Sequence, residues 1–116
     1  MIDFACKNFR IDEIVKCSLG LSKADFFVLK FFMKNSKSEF STNDLSYSLG
    51  LELSTVQRSV KKLHEKNILI KGQKNLNNGG YLFHYKLRSK KEIKAMIISI
   101  INDWTKKVEH ELQDWE

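Results

Sequence analysis

The sequence predicts a mainly helical α+β domain followed by one long C-terminal helix. Residues 41–67 contain two amphipathic segments separated by a glycine, and residues 68–87 contain two apolar runs around a glycine- and asparagine-rich centre. Residues 90–116 repeat apolar side chains at helical spacing. We therefore expect 1–88 to form one domain, N-terminal helix included, and 89–116 to form the final helix.

Two helices are predicted in the N-terminal third of the chain. The first is expected over about 11–19, with Gly20 ending it. Ser22 and Asp25, three residues apart, predict a capping box at the start of a second helix over 23–35. This second helix is apolar on nearly all sides, so we expect it to be buried on two faces. Its phenylalanines could line a ligand pocket, but plain core packing is the favoured interpretation.

The next segment has the pattern of two helices joined by a tight turn. Ser41 and Asp44 predict a second capping box, at the start of a helix over about 42–49. Gly50 follows where a left-handed residue ends a helix most easily. A further helix is expected over about 53–66. Its first residue lies between 53 and 55, because Ser54 and Gln57 form another possible capping box and so allow more than one start.

The helix predicted over 53–66 has two contrasting faces. Its apolar side chains at helical spacing are Val56, Val60 and Leu63. The opposite face carries Ser54, Arg58, Lys61 and Lys62, with Thr55 and Gln57 at its edges. Hydroxyls and an amide near the start of a helix, with cations further along, suit entry into a DNA major groove. The alternative is an ordinary solvated amphipathic helix.

Two strands are predicted after this helix. The runs at 68–71 and 81–87 are rich in β-branched, aromatic and leucine residues, and the segment GQKNLNNGG between them has turn composition. Two helices followed by a β-hairpin with a polar tip is the element order of a winged helix. We therefore predict a wing over about 71–80.

The run LSYSLGLELSTVQRSVKKLHEKNILI resembles the helix-turn-helix core of winged-helix transcription regulators of the MarR and TrmB types, especially small archaeal ones. The resemblance covers roughly residues 20–88, and STVQRSVKKL is its most specific part. It implies a symmetric dimer that binds operator DNA. Glu52 stands where these families usually have a serine or aspartate at the helix start.

The charge distribution supports a nucleic-acid partner. Residues 53–88 hold eight lysines and arginines against Glu65 alone, whereas residues 1–52 are neutral and residues 89–116 have a net charge of −1. All of the excess positive charge therefore lies on the helix predicted over 53–66 and on the hairpin that follows it. Solubility needs only a mixed surface, but a phosphate-facing surface needs concentrated positive charge.

These observations predict double-stranded DNA as partner, with the helix at 53–66 in the major groove and the wing on the backbone or in the minor groove. Arg58, with Ser54, Thr55 and Gln57, would read bases or position the helix. The predicted phosphate contacts are Lys61, Lys62, Lys71 and Lys74. Further predicted contacts are Ser41, Thr42, Asn75, Asn77 and Asn78.

The C-terminal helix predicts a homodimer. Ser89 and Glu92 predict its cap, and 27 helical residues would span about 40 Å. Its apolar stripe needs another surface, and a second copy of the same helix is the simplest one. The predicted interface is Ile93, Ile97, Ile100, Ile101, Trp104, Val108, Leu112 and Trp115. The alternatives are packing against the phenylalanine-rich helix or lying on a membrane, which the net charge disfavours.

Several other classes of protein are disfavoured. There is no apolar run of about 18 residues and no apolar core of a secretory signal, so we expect a cytoplasmic protein with no membrane contact. No catalytic array, phosphate-binding glycine loop or metal-ligand cluster stands out, so we expect no enzyme, no metal and no cofactor. The main alternative is a winged helix that docks onto another protein, for which so basic a helix and wing are unnecessary.

Two cysteines, Cys6 and Cys17, are the remaining candidates for a function. Small buried side chains are the favoured interpretation, and a redox switch between them is the alternative. The sequence does not identify a small-molecule effector. Any effector would have to bind at the dimer interface or act through these cysteines.

Overall fold

The computed structural model describes residues 1–116 in five helices and five strands. The strands are β1 (Ile2–Phe4), β2 (Lys7–Phe9), β3 (Glu39–Phe40), β4 (Leu69–Asn75) and β5 (Tyr81–Leu87). The helices are α1 (Ile11–Ser18), α2 (Lys23–Lys34), α3 (Thr42–Leu49), α4 (Leu53–Glu65) and α5 (Lys90–Gln113). The chain divides into two compact units, one of Ser22–Lys90 and one of Met1–Leu21 with Lys91–Glu116. The domain prediction placed the N-terminal segment with the winged helix, whereas the structure groups it with α5.

Helix α2 begins at the predicted capping box. The Ser22 hydroxyl accepts a hydrogen bond from the Asp25 amide (3.1 Å), and the Asp25 carboxylate accepts one from the Ser22 amide (3.0 Å). The helix ends one residue earlier than expected, with Asn35 as its C-cap. The expectation of burial on two faces holds only in part. Val28 and Phe32 are fully buried, but Phe27 is 48% exposed.

Helix α3 has the predicted caps at both of its ends. The Ser41 hydroxyl accepts from the Asp44 amide at 3.1 Å, and Gly50 has the left-handed φ of +65°. Asn67, just after α4, is also left-handed, with φ of +64°. The start of α4 differs, because Glu52 is the N-cap and makes no side-chain cap hydrogen bond.

Strands β3, β5 and β4 form an antiparallel sheet in that order. The short β3 was not predicted, and it pairs Phe40 with Tyr85. Strand β4 extends further than predicted, through the polar residues up to Asn75, which pairs with Tyr81. Backbone hydrogen bonds continue the ladder where the side chains are polar, so the turn is confined to residues 76–80.

The core of this unit lies between its helices and the base of the sheet. The apolar stripe predicted for α4 is buried, and Val56, Val60 and Leu63 are among the most buried side chains. The other buried apolar residues of the unit are Val28, Leu29, Phe32, Leu45, Ile68, Leu69 and Leu87. This mixed α+β arrangement of helices α2–α4 with a β-hairpin is a winged helix, which confirms the predicted fold class.

The other unit contains a small hairpin and two helices. Strands β1 and β2 pair in antiparallel register from Ile2–Phe9 to Phe4–Lys7, a hairpin that was not predicted. Helix α1 ends at Ser18, one residue before the predicted end. Helix α5 has 24 residues, three fewer than predicted, and the chain leaves it at Asp114. None of the helices is long and apolar enough to cross a membrane.

Candidate nucleic-acid interface

The outer face of α4 carries five of the thirteen predicted DNA contacts. Ser54, Gln57, Arg58 and Lys61 are exposed, and Thr55 is half-buried. The opposite side of the helix is fixed in the core by Val56 and Val60. Because the buried stripe fixes the rotation of α4 about its axis, the polar and basic side chains are held on one exposed surface.

Lys62 has a structural partner that the sequence did not reveal. Its Nζ lies 2.9 Å from Oδ2 of Asp25, a residue of α2 that is only 5% exposed. Burial alone would raise the pKa of Asp25, but hydrogen bonds from Lys62, Ser22 and Ser59 outweigh it and lower the pKa to about 2. The pair joins the first turn of α2 to the last turn of α4. Lys62 therefore neutralises a buried carboxylate and is not a free surface cation.

The start of α3 also differs from its predicted role. Ser41 is 3% exposed, and its hydroxyl is engaged in the capping box. Its side chain is thus a helix cap and is not available to a ligand. Asp44 completes the cap, and the Ser41 amide is the main cause of the lowered pKa of this carboxyl. Thr42 is half-buried and lies beside the wing strand β5.

The wing is exposed throughout residues 71–80. The Lys74 Nζ lies 3.6 Å from a Glu39 carboxylate oxygen, but both side chains are well exposed, so this pair is weak. Asn75 ends β4, while Asn77 and Asn78 lie in the turn. The Asn78 side-chain oxygen accepts a hydrogen bond from the Gly80 amide at 3.4 Å. Lys74 and the three predicted asparagines thus lie at or near the hairpin tip, whereas Lys71 lies further down β4, where it pairs with Tyr85.

Sequence reasoning missed an aromatic row on β5. Alternate residues of a strand share one side, so Tyr81, Phe83 and Tyr85 lie along the same face. The rings of Tyr81 and Phe83 have centroids 5.1 Å apart, and the Lys71 Nζ lies 3.9 Å from the Phe83 centroid. The alternation in YLFHY was the signal that could have identified this row. These rings and Gln57 line a cleft between the wing and the helices.

The stripe predicted for α5 changes in exposure along the helix. Ile93 is buried, and Ile97, Ile100 and Ile101 are half-buried. Trp104 is 59% exposed, and the exposed apolar surface continues through Val108 and Leu112. Trp115 lies beyond the end of the helix, yet it lines the same shallow concavity of about 460 Å³ as Trp104 and Leu112. The exposed part of the stripe is therefore its C-terminal half, and the dimer interface itself stays a prediction.

Neither cysteine is in a disulfide, and both are exposed. Cys6 follows β1, and Cys17 lies on α1. The expectation that they are small buried side chains is therefore wrong, and their redox role stays a prediction. No three His, Cys, Asp or Glu residues are grouped so that they could hold a metal ion.

A model of the DnaD N-terminal domain family matches residues 10–108. The chain belongs to this family. The structure of a possible transcriptional regulator from Methanosarcina mazei is 49% identical to this DnaD N-terminal domain chain, with a TM-score of 0.94. That match covers 100% of this chain and 97% of the other protein.

Two more distant structures share the fold of this DnaD N-terminal domain chain. One is the MepR F27L mutant of S. aureus bound to an oligodeoxyribonucleotide, which is 13% identical, with a TM-score of 0.56. The other is a MarR family protein from Bacillus stearothermophilus, which is 11% identical, with a TM-score of 0.50. Each match covers 91% of this chain, and they cover 73% and 69% of the respective neighbours. At these identities the likeness shows a winged-helix fold and does not assign the chain to the MarR or TrmB type.

Proposed function

We propose that the chain is a transcription regulator that binds double-stranded DNA as a homodimer, with α4 in the major groove and the wing on the backbone or in the minor groove. The observation that carries this proposal is the exposed face of α4, where Gln57, Arg58 and Lys61 stand opposite the buried stripe. This face of α4 is part of the segment 53–88, which holds eight cations and one acid. Such a concentration of positive charge matches a phosphate backbone.

The proposed roles follow from position on α4 and the wing. Ser54, Gln57 and Arg58 lie in the first half of α4, which is the part of a recognition helix that reaches base edges. An arginine can donate two hydrogen bonds to a guanine, so Arg58 is the proposed base-reading residue. Lys61, Lys71 and Lys74 are the proposed phosphate contacts. Lys62 is left out of this set, because its ammonium compensates Asp25.

Two similar structures support the proposal. The Methanosarcina mazei protein, 49% identical over the whole chain, is described as a possible transcriptional regulator. MepR, which shares the fold, was determined with an oligodeoxyribonucleotide bound. A DNA-binding regulator is therefore the function that the geometry and the neighbours jointly favour.

The homodimer part of the proposal rests on α5. Trp104, Val108 and Leu112 are all exposed large apolar side chains on the last part of one helix. A continuous apolar surface of this kind marks an interaction site more often than a solvated surface. A two-fold contact would bury the same stripe on both copies and would present two α4 helices to one duplex.

The test of DNA binding is a selection of genomic duplex fragments with purified protein, followed by titrations with the Arg58→Ala variant. We expect a preferred site, and a loss of about 1–3 kcal/mol on that site with relaxed base choice at one position. Lys106→Ala, which removes an exposed cation from α5, is the matched control and should bind like the wild type. Failure to select any duplex would refute the proposal and favour a winged helix that docks onto protein.

A further inference from the structure

A cleft of about 250 Å³ lies between strand β5 and the helices α3 and α4. It is lined by Thr42, Gln57, Tyr81, Leu82, Phe83 and Tyr85. The cleft is smaller than the usual pocket for a drug-sized ligand, and aromatic rings and hydrogen-bonding groups are both present in it. Its size and composition suit one planar ring system with polar edges.

The aromatic side chains of the cleft differ in how far they are buried, and the Tyr81 ring is the most exposed of them. Tyr81 is 58% exposed, although Tyr85 at the other end of the same row is half-buried and packs edge-on against His64, with ring centroids 6.3 Å apart. Tyr81 contacts Phe83 at an interplanar angle of 61°, so the two rings do not stack on each other. The Tyr81 ring is therefore available to stack on a ligand.

Positive charge lies directly beside these rings. The Lys71 Nζ stands 3.9 Å from the Phe83 ring centroid, and this cation–π contact holds the ammonium group at the aromatic row. Residues 53–88, which supply every lining residue of the cleft except Thr42, hold eight cations and one acid, Glu65. An aromatic platform beside a cation is the arrangement with which proteins bind single-stranded nucleic acids, whose bases stack while their phosphates are neutralised.

We infer that this cleft binds an unpaired nucleobase together with its phosphate. Tyr81 stacks on the base, Lys71 pairs with the phosphate, and the Gln57 amide and Thr42 hydroxyl form hydrogen bonds with the base edge. A base inside an intact duplex is stacked on both sides, so it cannot occupy the cleft. The source of the base is either single-stranded DNA or a free nucleotide. The inference shares the wing with the proposed duplex interface but does not depend on it.

The test compares fluorescence anisotropy titrations of the full chain with a labelled oligo(dT) and with a labelled duplex. Tyr81→Ala should weaken oligo(dT) binding about 5- to 150-fold, the range for loss of one stacking contact, while duplex affinity changes less than about twofold. Tyr47→Ala is the matched control, because Tyr47 is 92% exposed on α3 and does not line the cleft. Tyr81→Trp keeps a stacking ring and should retain oligo(dT) binding. This result would show that the loss in Tyr81→Ala comes from the missing ring and not from misfolding.

Each outcome separates the inference from the proposed function. Absence of oligo(dT) and dTMP binding by the wild type, or equal oligo(dT) binding by Tyr81→Ala and wild type, would overturn the inference even if the duplex binds. Loss of oligo(dT) binding in Tyr81→Ala without any duplex binding would support the inference and refute the proposed function. Competition by dTMP would identify free nucleotide as the source, and binding of oligo(dT) without such competition would identify single-stranded DNA.

Discussion

Removing the buried carboxylate with Asp25→Asn should destabilise the winged helix by about 2 kcal/mol. The pKa of Asp25 falls from 3.8 to about 2 on folding, and each unit is worth about 1.36 kcal/mol. Breaking a fully buried pair costs more, about 3–5 kcal/mol, but the Lys62 side chain is 39% exposed and can turn to water. We therefore expect the lower figure, equivalent to a melting temperature lower by roughly 6–10 °C.

The stabilisation by the Asp25–Lys62 pair should depend on pH, and it should be lost in acid. Because the pKa of Asp25 is lower in the folded state than in the unfolded state, the ion pair stabilises the fold fully above about pH 4. The stabilisation is lost as the pH falls from 3.8 towards 2. In Asp25→Asn this contribution is absent at every pH, so the difference between variant and wild type should shrink over that range.

Urea unfolding followed by circular dichroism, at neutral pH and in steps down to pH 2, measures both effects. Asp44→Asn is the matched control, because Asp44 forms the same kind of capping box on α3 without a lysine partner. We expect it to cost less than about 1 kcal/mol. Equal stabilities of Asp25→Asn and wild type at neutral pH would refute the reasoning, as would the same cost in both variants.

Two further predictions concern the turn and α5. Gly50→Ala should lower the free energy of unfolding by about 1 kcal/mol in a thermal melt, because the φ of +65° strains any residue with a Cβ. Nothing lies within 4 Å of the added Cβ, so the cost comes from the backbone alone. Gly50→Asn should cost less than Gly50→Ala, because asparagine tolerates the left-handed conformation, and an equal cost would contradict this explanation. Trp104→Ala should remove a dimer anchor worth roughly 3–5 kcal/mol if the dimer buries it, so the variant should dissociate on dilution and lose operator affinity. Sedimentation of the wild type as a monomer at tens of micromolar would refute the dimer. A two-fold dimer should hold its two α4 helices about 34–36 Å apart, to fit operator half-sites one turn of DNA apart, and a monomer would refute that spacing as well.

The local elements could be predicted because their signals are local. The pairs Ser22–Asp25 and Ser41–Asp44 sit at the starts of α2 and α3, and Gly50 ends α3 in the left-handed conformation. The period of the apolar residues on α4 likewise identified its buried stripe. These features depend on residues within one or two helical turns, which a sequence displays directly.

The features that were missed depend on partners distant in sequence. Lys62 looks like a surface cation until Asp25 is seen beside it. Strand β3 is two residues long and is defined only by its pairing with β5. Ser41 was assigned both a capping and a DNA-contact role, and only its burial shows that the first excludes the second. The aromatic row could have been predicted from the alternation in YLFHY. The cleft could not, because it is formed with Gln57 of α4, and the sequence does not show that Gln57 lies close to β5.

The salt dependence of duplex binding tests the central claim most directly. If α4 and the wing meet phosphates, log K should fall linearly with log salt concentration by about 0.9 for each phosphate neutralised. Lys71→Ala should weaken binding to all sequences alike and flatten that slope by about one unit. Salt-independent binding, or no binding to any duplex at low salt, would contradict the account.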